Sequence, residues 1–153
     1  MSPTSRQLDL LGTVLRLVVG GVLLVAGALK VTNLAASAFA VRAYQLLPYD
    51  LAGYVGHALP VAEIAVGVLL VLGLFTRAGA IAAALLLLAF VIGIASAWAR
   101  GLSIDCGCFG GGGTIEASRT AYPLELTRDV ALLLAAAWLV VRPRTAYALD
   151  TRL

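Results

Sequence analysis

Four stretches of nearly unbroken apolar residues divide the chain, at about 10–31, 54–75, 78–99 and 122–141. None alternates with the period of a strand. Each approaches the ~20 residues an α-helix needs to cross the ~30 Å hydrocarbon core of a bilayer. The pattern predicts an all-α integral membrane protein, a four-helix bundle of antiparallel transmembrane helices forming one domain over residues 1–153. Spans two and three are joined around Thr76-Arg77 by a turn too short to hold a soluble element, so they must be antiparallel neighbours. The connection 32–53 carries Phe39, Tyr44, Pro48 and Tyr49, which suits an amphipathic segment at the membrane interface that caps one end of the bundle. The connection 100–121 contains both cysteines and the run Gly110 to Gly113, which favours irregular backbone.

Composition agrees with this picture: 61% of the 153 residues are hydrophobic and only 12% charged. Eleven basic residues against eight acidic are scattered singly, without the run or stripe that nucleic acid requires, so the lipid bilayer is the expected surrounding and nucleic acid is not a partner. Arg6 ahead of an apolar run and Ala26-Gly27-Ala28 imitate a secretory leader, but Asp9 and Arg16 interrupt the approach and 10–29 is long enough to stay as a span. The basic residues divide into two groups along the spans. Arg6, Arg16, Arg77, Arg142, Arg144 and Arg152 fall on one side, and Lys30, Arg42, Arg100, Arg119 and Arg128 on the other. The first group clusters in the short hairpin and the two tails, where the positive-inside rule is most reliable, so both termini are expected in the cytoplasm. The cysteine loop then faces outward, into the compartment where disulfides persist.

Charges inside the spans need partners, because each costs at least about 2.5 kcal/mol at the bilayer centre. Gly12, Arg16, Gly20, Gly27 and Lys30 recur at helical spacing with Leu23 filling the gap, a stripe that should face the bundle. For Arg16 a second reading stays open, that it snorkels to the inner headgroups. Lys30, at the span end, reads as an interfacial anchor. Glu63 has Pro60 one turn before and Gly67 one turn after and should face protein. In span four, Arg128 and Asp129 must enter the outer leaflet, with Glu125 on the same face and able to pair with Arg128. Glu63, Arg128, Asp129 and Lys30 thus gather toward the outer half, either as a polar pocket under the cysteines or as a network that holds helices together.

The only two cysteines stand in Asp105-Cys106-Gly107-Cys108-Phe109-Gly110. Zinc takes four ligands, and the only histidine, His57, lies in another part of the chain, so no metal site is predicted. A redox pair needs only two sulfurs able to meet, and Gly107 removes the Cβ that would resist the tight turn. A bridge through so small a ring is strained and easily reduced, a property of exchanging disulfides, and it closes too short a loop to stabilise the fold. Asp105 disfavours the attacking thiolate, whereas the amides of the glycine run and Arg100 favour it. An inert structural pair, or two thiols close only by coincidence, is the alternative.

With these residues in view, the chain resembles the MauE branch of the DoxX-like membrane proteins, small four-span bacterial proteins. The resemblance rests on 16–30 ending in Gly27-Ala28-Leu29-Lys30, on Tyr44-Gln45-Leu46-Leu47-Pro48, and on Leu59-Pro60 followed by Glu63 and Gly67. It continues through Gly73-Leu74 with Arg77 to Asp105-Cys106-Gly107-Cys108-Phe109-Gly110 and Arg128, the cysteine segment being its most specific part. It implies a role in methylamine utilisation at the bacterial cytoplasmic membrane. There the protein would support disulfide formation or maturation of methylamine dehydrogenase together with a thioredoxin-like extracytoplasmic partner. The wider group's link to quinone-dependent sulfur oxidation makes a membrane quinone the candidate cofactor, entering near Glu63 and Asp129. The competing readings are a non-catalytic assembly or anchoring subunit and a small-solute pathway.

Overall fold

The computed structural model describes residues 3–105, 113–114 and 122–149; Cys106 and Cys108 lie outside them. Among the described residues five α-helices follow in order: α1 (Pro3–Val31), α2 (Leu34–Ala43), α3 (Tyr49–Leu72), α4 (Thr76–Ala99) and α5 (Tyr122–Val141). Between α4 and α5 a two-residue strand β1 (Ile104–Asp105) pairs antiparallel with β2 (Gly113–Thr114). The protein is therefore an all-α membrane bundle whose four long helices are α1, α3, α4 and α5. Three of them, α1, α3 and α4, are long and apolar enough to cross a bilayer. At 24 residues each, α3 and α4 are about 36 Å long. The fourth, α5, carries Glu125, Arg128 and Asp129 in its first two turns, and its charge-free part is confined to 130–141.

Helix boundaries differ from those the apolar pattern suggests. The chain is already helical at Pro3, and α3 begins at Tyr49 instead of 54 because Pro48 supplies the preset entry into the helix and Asp50 follows in the first turn. The α3–α4 turn is also earlier, at 73–75. Gly73 takes φ +73°, and the amides of Gly73 and Leu74 return to the carbonyls of Leu70 and Leu69, a Schellman ending that only a residue without Cβ adopts freely. The 32–53 connection contains a short apolar helix, α2, in place of the amphipathic segment expected there; it is opened by Asn33, whose side chain accepts from the Ala36 amide at 3.1 Å. It buries Ser37, Ala38 and Ala40 and exposes Phe39.

α1 packs mainly on α3, α4 on α5, and α2 on α3. In lipid, apolar residues gain little by leaving the solvent, so close backbone approach holds the helices together. The α1–α3 seam shows this. Arg16 lies opposite Val71, Gly20 opposite Gly67 and Gly27 opposite Pro60, an antiparallel register. A Cβ on Gly20 would come within 3.1 Å of the Gly67 carbonyl oxygen, one on Gly27 within 2.7 Å of the Pro60 oxygen, and one on Gly67 within 2.7 Å of the Leu24 amide nitrogen. The stripe expected from Gly12 to Lys30 is therefore the bundle-facing side of α1, with Leu23 2% exposed within it. Val19, Leu23, Val66, Leu70, Leu87, Leu132 and Leu139 fill the centre with small residues between them. Val14, Val25, Leu85, Ile92 and Leu134 stand on the outer surface, more than half exposed, as the lipid-facing coat.

Candidate functional site

The described basic residues separate to the two ends of the bundle as the span pattern requires. At one end Arg16 is 1% exposed, which decides its reading: it does not snorkel but turns into the bundle. Its Nη1 donates to the carbonyls of Leu70 at 2.9 Å and Val71 at 3.1 Å, the last turn of α3, where helical carbonyls lack partners and the helix dipole is negative. Nη2 reaches the carbonyls of Ala146 and Tyr147 at 3.5 Å, and Arg142 pairs with Asp9 at 2.9 Å. Arg16 thus locks the end of α3 to α1 and to the segment after α5. It belongs to the architecture of the opposite end.

The other end is organised by two buried elements, a proline-freed carbonyl and an ion pair. Pro60 has no N–H, so the Gly56 carbonyl lacks its helical donor. Ser37 of α2 supplies one, with Oγ donating at 2.6 Å, and Gly56 lets α2 come so close that a Cβ there would overlap the Ala38 backbone. One turn beyond Pro60, Glu63 is fully buried and meets Lys30, which is 5% exposed. Lys30 Nζ donates to Oε1 at 2.8 Å and lies 2.7 Å from Oε2. This corrects the interfacial-anchor reading of Lys30. Its side chain runs inward, because a carboxylate buried in α3 offers more than the headgroup region does. Nζ also lies 5.4 Å from the centre of the Phe90 ring of α4, so Lys30 ties α1, α3 and α4 together.

Beside this pair is a cavity of about 360 Å³, walled by α2, α3 and α4. Lys30, Ser37, Tyr44, Leu59, Phe90 and Gly93 line it, and Lys30 is the only charged residue of the wall. Glu63 and Asp129 do not line it, and Glu63 reaches it only through Lys30. Asp129 is buried in α5, with Arg128 Nε 3.0 Å from its Oδ1. The four outer charges therefore include two ion pairs, Lys30–Glu63 between helices and Arg128–Asp129 within one.

The connection that bears the cysteines is fastened at this same end. The Arg100 guanidinium donates to the carbonyls of Tyr44 and Gln45, and Tyr122 donates its hydroxyl to the Leu102 carbonyl. Ile104 pairs with Thr114 and Asp105 with Gly113, so the ladder brackets the segment 106–112 that contains Cys106 and Cys108, and β2 rests on α2. The Asp105 backbone is thus the last described step before the cysteines. Helix α2 lies between the two features, carrying β2 and walling the cavity.

The family model described as methylamine utilisation protein MauE matches residues 8–142, which takes in α1 from residue 8 onward, α2 to α5 and the cysteine segment. The chain belongs to the MauE family. Comparison with curated proteins and with solved structures finds no match. Membership makes this a multi-pass membrane protein associated with methylamine utilisation. Several features of this MauE-family bundle escaped the apolar pattern. The Lys30–Glu63 contact joins residues 33 positions apart, and the only signal for it was that each is a lone charge on a small-residue face. The Ser37 hydrogen bond was foreshadowed only by Pro60, and the Arg100 clamp on the Tyr44-Gln45 turn by nothing local.

Proposed function

We propose that the protein is a membrane thiol-redox protein of the bacterial cytoplasmic membrane, supporting disulfide formation or maturation of a partner enzyme outside the cytoplasm. Cys106 and Cys108 alternate between disulfide and dithiol. A thioredoxin-like partner gives up two electrons and two protons as its dithiol closes to a disulfide, and the Cys106–Cys108 bridge opens to two thiols; a carrier in the bilayer then accepts the same two electrons and two protons. The partner enzyme is of the methylamine-utilisation kind, by family. The observation that carries the reading is the β1–β2 ladder. It pairs the described residues that flank the only two cysteines in the sequence, Ile104–Asp105 and Gly113–Thr114, and its second strand packs on α2.

Thiol trapping in intact cells tests it. Alkylation with a membrane-impermeant maleimide, with and without reductant, should show the pair shifting between two redox states as methylamine-dependent growth is switched on. Cys106→Ser or Cys108→Ser should trap a mixed disulfide with a periplasmic protein and abolish maturation of its client. Full client maturation in Cys106→Ser, with the remaining thiol in one fixed state, would overturn the redox reading in favour of an assembly subunit.

A further inference from the structure

The cavity between α2, α3 and α4 has a combination of features that the thiol chemistry alone does not use. Its wall is apolar apart from Lys30, Ser37 and Tyr44, and the surrounding surface shows Leu46 at 50%, Leu47 at 40% and Ile92 at 55% exposure. In a bundle embedded in lipid those side chains border acyl chains, so the cavity is reached sideways from the bilayer. Its volume is in the range of sites for small organic ligands, roughly 300–1,000 Å³. Lys30 is held by Glu63, yet an ammonium carries three N–H donors and the carboxylate engages at most two. A ligand with an oxygen acceptor can take the third. Phe90, over which Nζ lies, also lines the cavity and offers a flat ring for stacking.

We infer that this cavity binds a membrane quinone, with its head group between Phe90 and Tyr44, a carbonyl oxygen toward Lys30 Nζ, and its isoprenoid tail leaving past Leu47 and Ile92. The inference rests on the thiol-redox reading above, whose balance requires an acceptor of two electrons and two protons that is soluble in lipid. In the net step the Cys106 and Cys108 thiols lose two protons and two electrons as the S–S bond forms, and the quinone gains both to become the quinol. Helix α2 joins the ladder to the cavity: β2, which follows the cysteines in the sequence, rests on the helix that contributes Ser37, Ala40 and Val41 to the cavity wall. Electrons can then pass to the membrane through a carrier that comes and goes from lipid.

The test uses the full-length protein in phosphatidylcholine nanodiscs and a photoreactive azidoquinone, with the labelled residues mapped by mass spectrometry. Labelling should concentrate on the Tyr44–Leu47 and Phe90–Gly93 stretches and be competed by decylubiquinone but not by stearate. Gly93→Leu and Leu59→Trp fill the cavity from two helices, and Lys30→Met with Glu63→Gln removes the head-group donor without leaving a buried charge. Each should reduce specific labelling about tenfold, with unfolding temperature recorded to show that the bundle persists. Label spread evenly over lipid-facing positions such as Val14 and Leu134, equal labelling of all three folded variants, or competition by stearate would overturn the proposal. A second readout separates it from the thiol reading. With dithiothreitol as electron donor, wild type should convert decylubiquinone to the quinol faster than the protein with Cys106→Ser and Cys108→Ser. Cavity labelling with equal quinol formation in the two would leave the quinone site standing and overturn the thiol role.

Discussion

Ser37 Oγ donates to the Gly56 carbonyl at 2.6 Å, the very carbonyl that Pro60 leaves without a helical donor. The pair explains how α2 is pinned to α3 and why α3 tolerates a proline at mid-helix. Ser37→Ala should cost about 1–3 kcal/mol, the penalty of a buried carbonyl left unsatisfied. Pro60→Ala restores the amide that reaches Gly56, so in that background Ser37→Ala should cost much less. Thermal unfolding of the four proteins of this cycle in detergent measures the coupling, and additive effects would show that the two residues act independently.

The Lys30–Glu63 pair makes a different prediction, because both partners are almost removed from water and lipid alike. Lys30→Met or Glu63→Leu alone should destabilise the bundle by about 3–5 kcal/mol, since each leaves a buried charge unpaired. The double substitution Lys30→Met with Glu63→Leu should recover most of that loss. Folded yield after detergent extraction, with unfolding temperature, distinguishes this rescue from an additive collapse.

Glycine substitutions along α1 should sort by what the new methyl meets. Gly21 has nothing within 4 Å, so Gly21→Ala should be neutral or slightly stabilising through helix propensity. Gly27→Ala drives a methyl to 2.7 Å from the Pro60 carbonyl oxygen, backbone that cannot rotate away, and should cost about 1–3 kcal/mol. Comparing the unfolding temperatures of these two variants checks the α1–α3 register directly.

The contrast shows where the sequence was informative. The four long helices, the α3–α4 hairpin and the bundle-facing stripe of α1 were legible because lipid exposure and small-residue spacing are written at fixed helical intervals, as Gly20 and Gly27 illustrate. Lys30 was misread because position at a span end suggests the interface, whereas its direction is set by Glu63 on another helix. The cavity was equally invisible: Tyr44, Leu59 and Phe90 belong to three elements, and only the docking of α2 on Gly56 brings them to one wall. Arg16 stood between these cases, since its spacing placed it on the inner face but could not name the Leu70 and Val71 carbonyls as its partners.

Those two carbonyls make Arg16 the test of the opposite end. Arg16→Met should leave the last turn of α3 without its donor and cost about 1–3 kcal/mol, with Arg16→Lys recovering part because a single ammonium can reach one carbonyl. The same substitution should leave thiol reactivity of the folded protein unchanged, since Arg16 acts far from the ladder that brackets the cysteines. Loss of thiol exchange in a fully folded Arg16→Met protein would mean that the two ends communicate.

Topology gives the final prediction, and it follows from the separation of the basic residues. Arg16, Arg77 and Arg142 gather at the α3–α4 turn, whereas Arg42 and Arg100 stand at the other end, by the α2–α3 connection. The first end is the cytoplasmic one if basic residues remain inside. Phe75 is 66% exposed in that turn and Tyr54 is 74% exposed near the start of α3. In a background with Cys106→Ser and Cys108→Ser, a membrane-impermeant maleimide applied to intact spheroplasts should label Tyr54→Cys and not Phe75→Cys. After lysis both should react. Labelling of Phe75→Cys in intact spheroplasts would turn the bundle over, place the cysteine segment in the reducing cytoplasm and remove the oxidising surroundings on which disulfide donation depends.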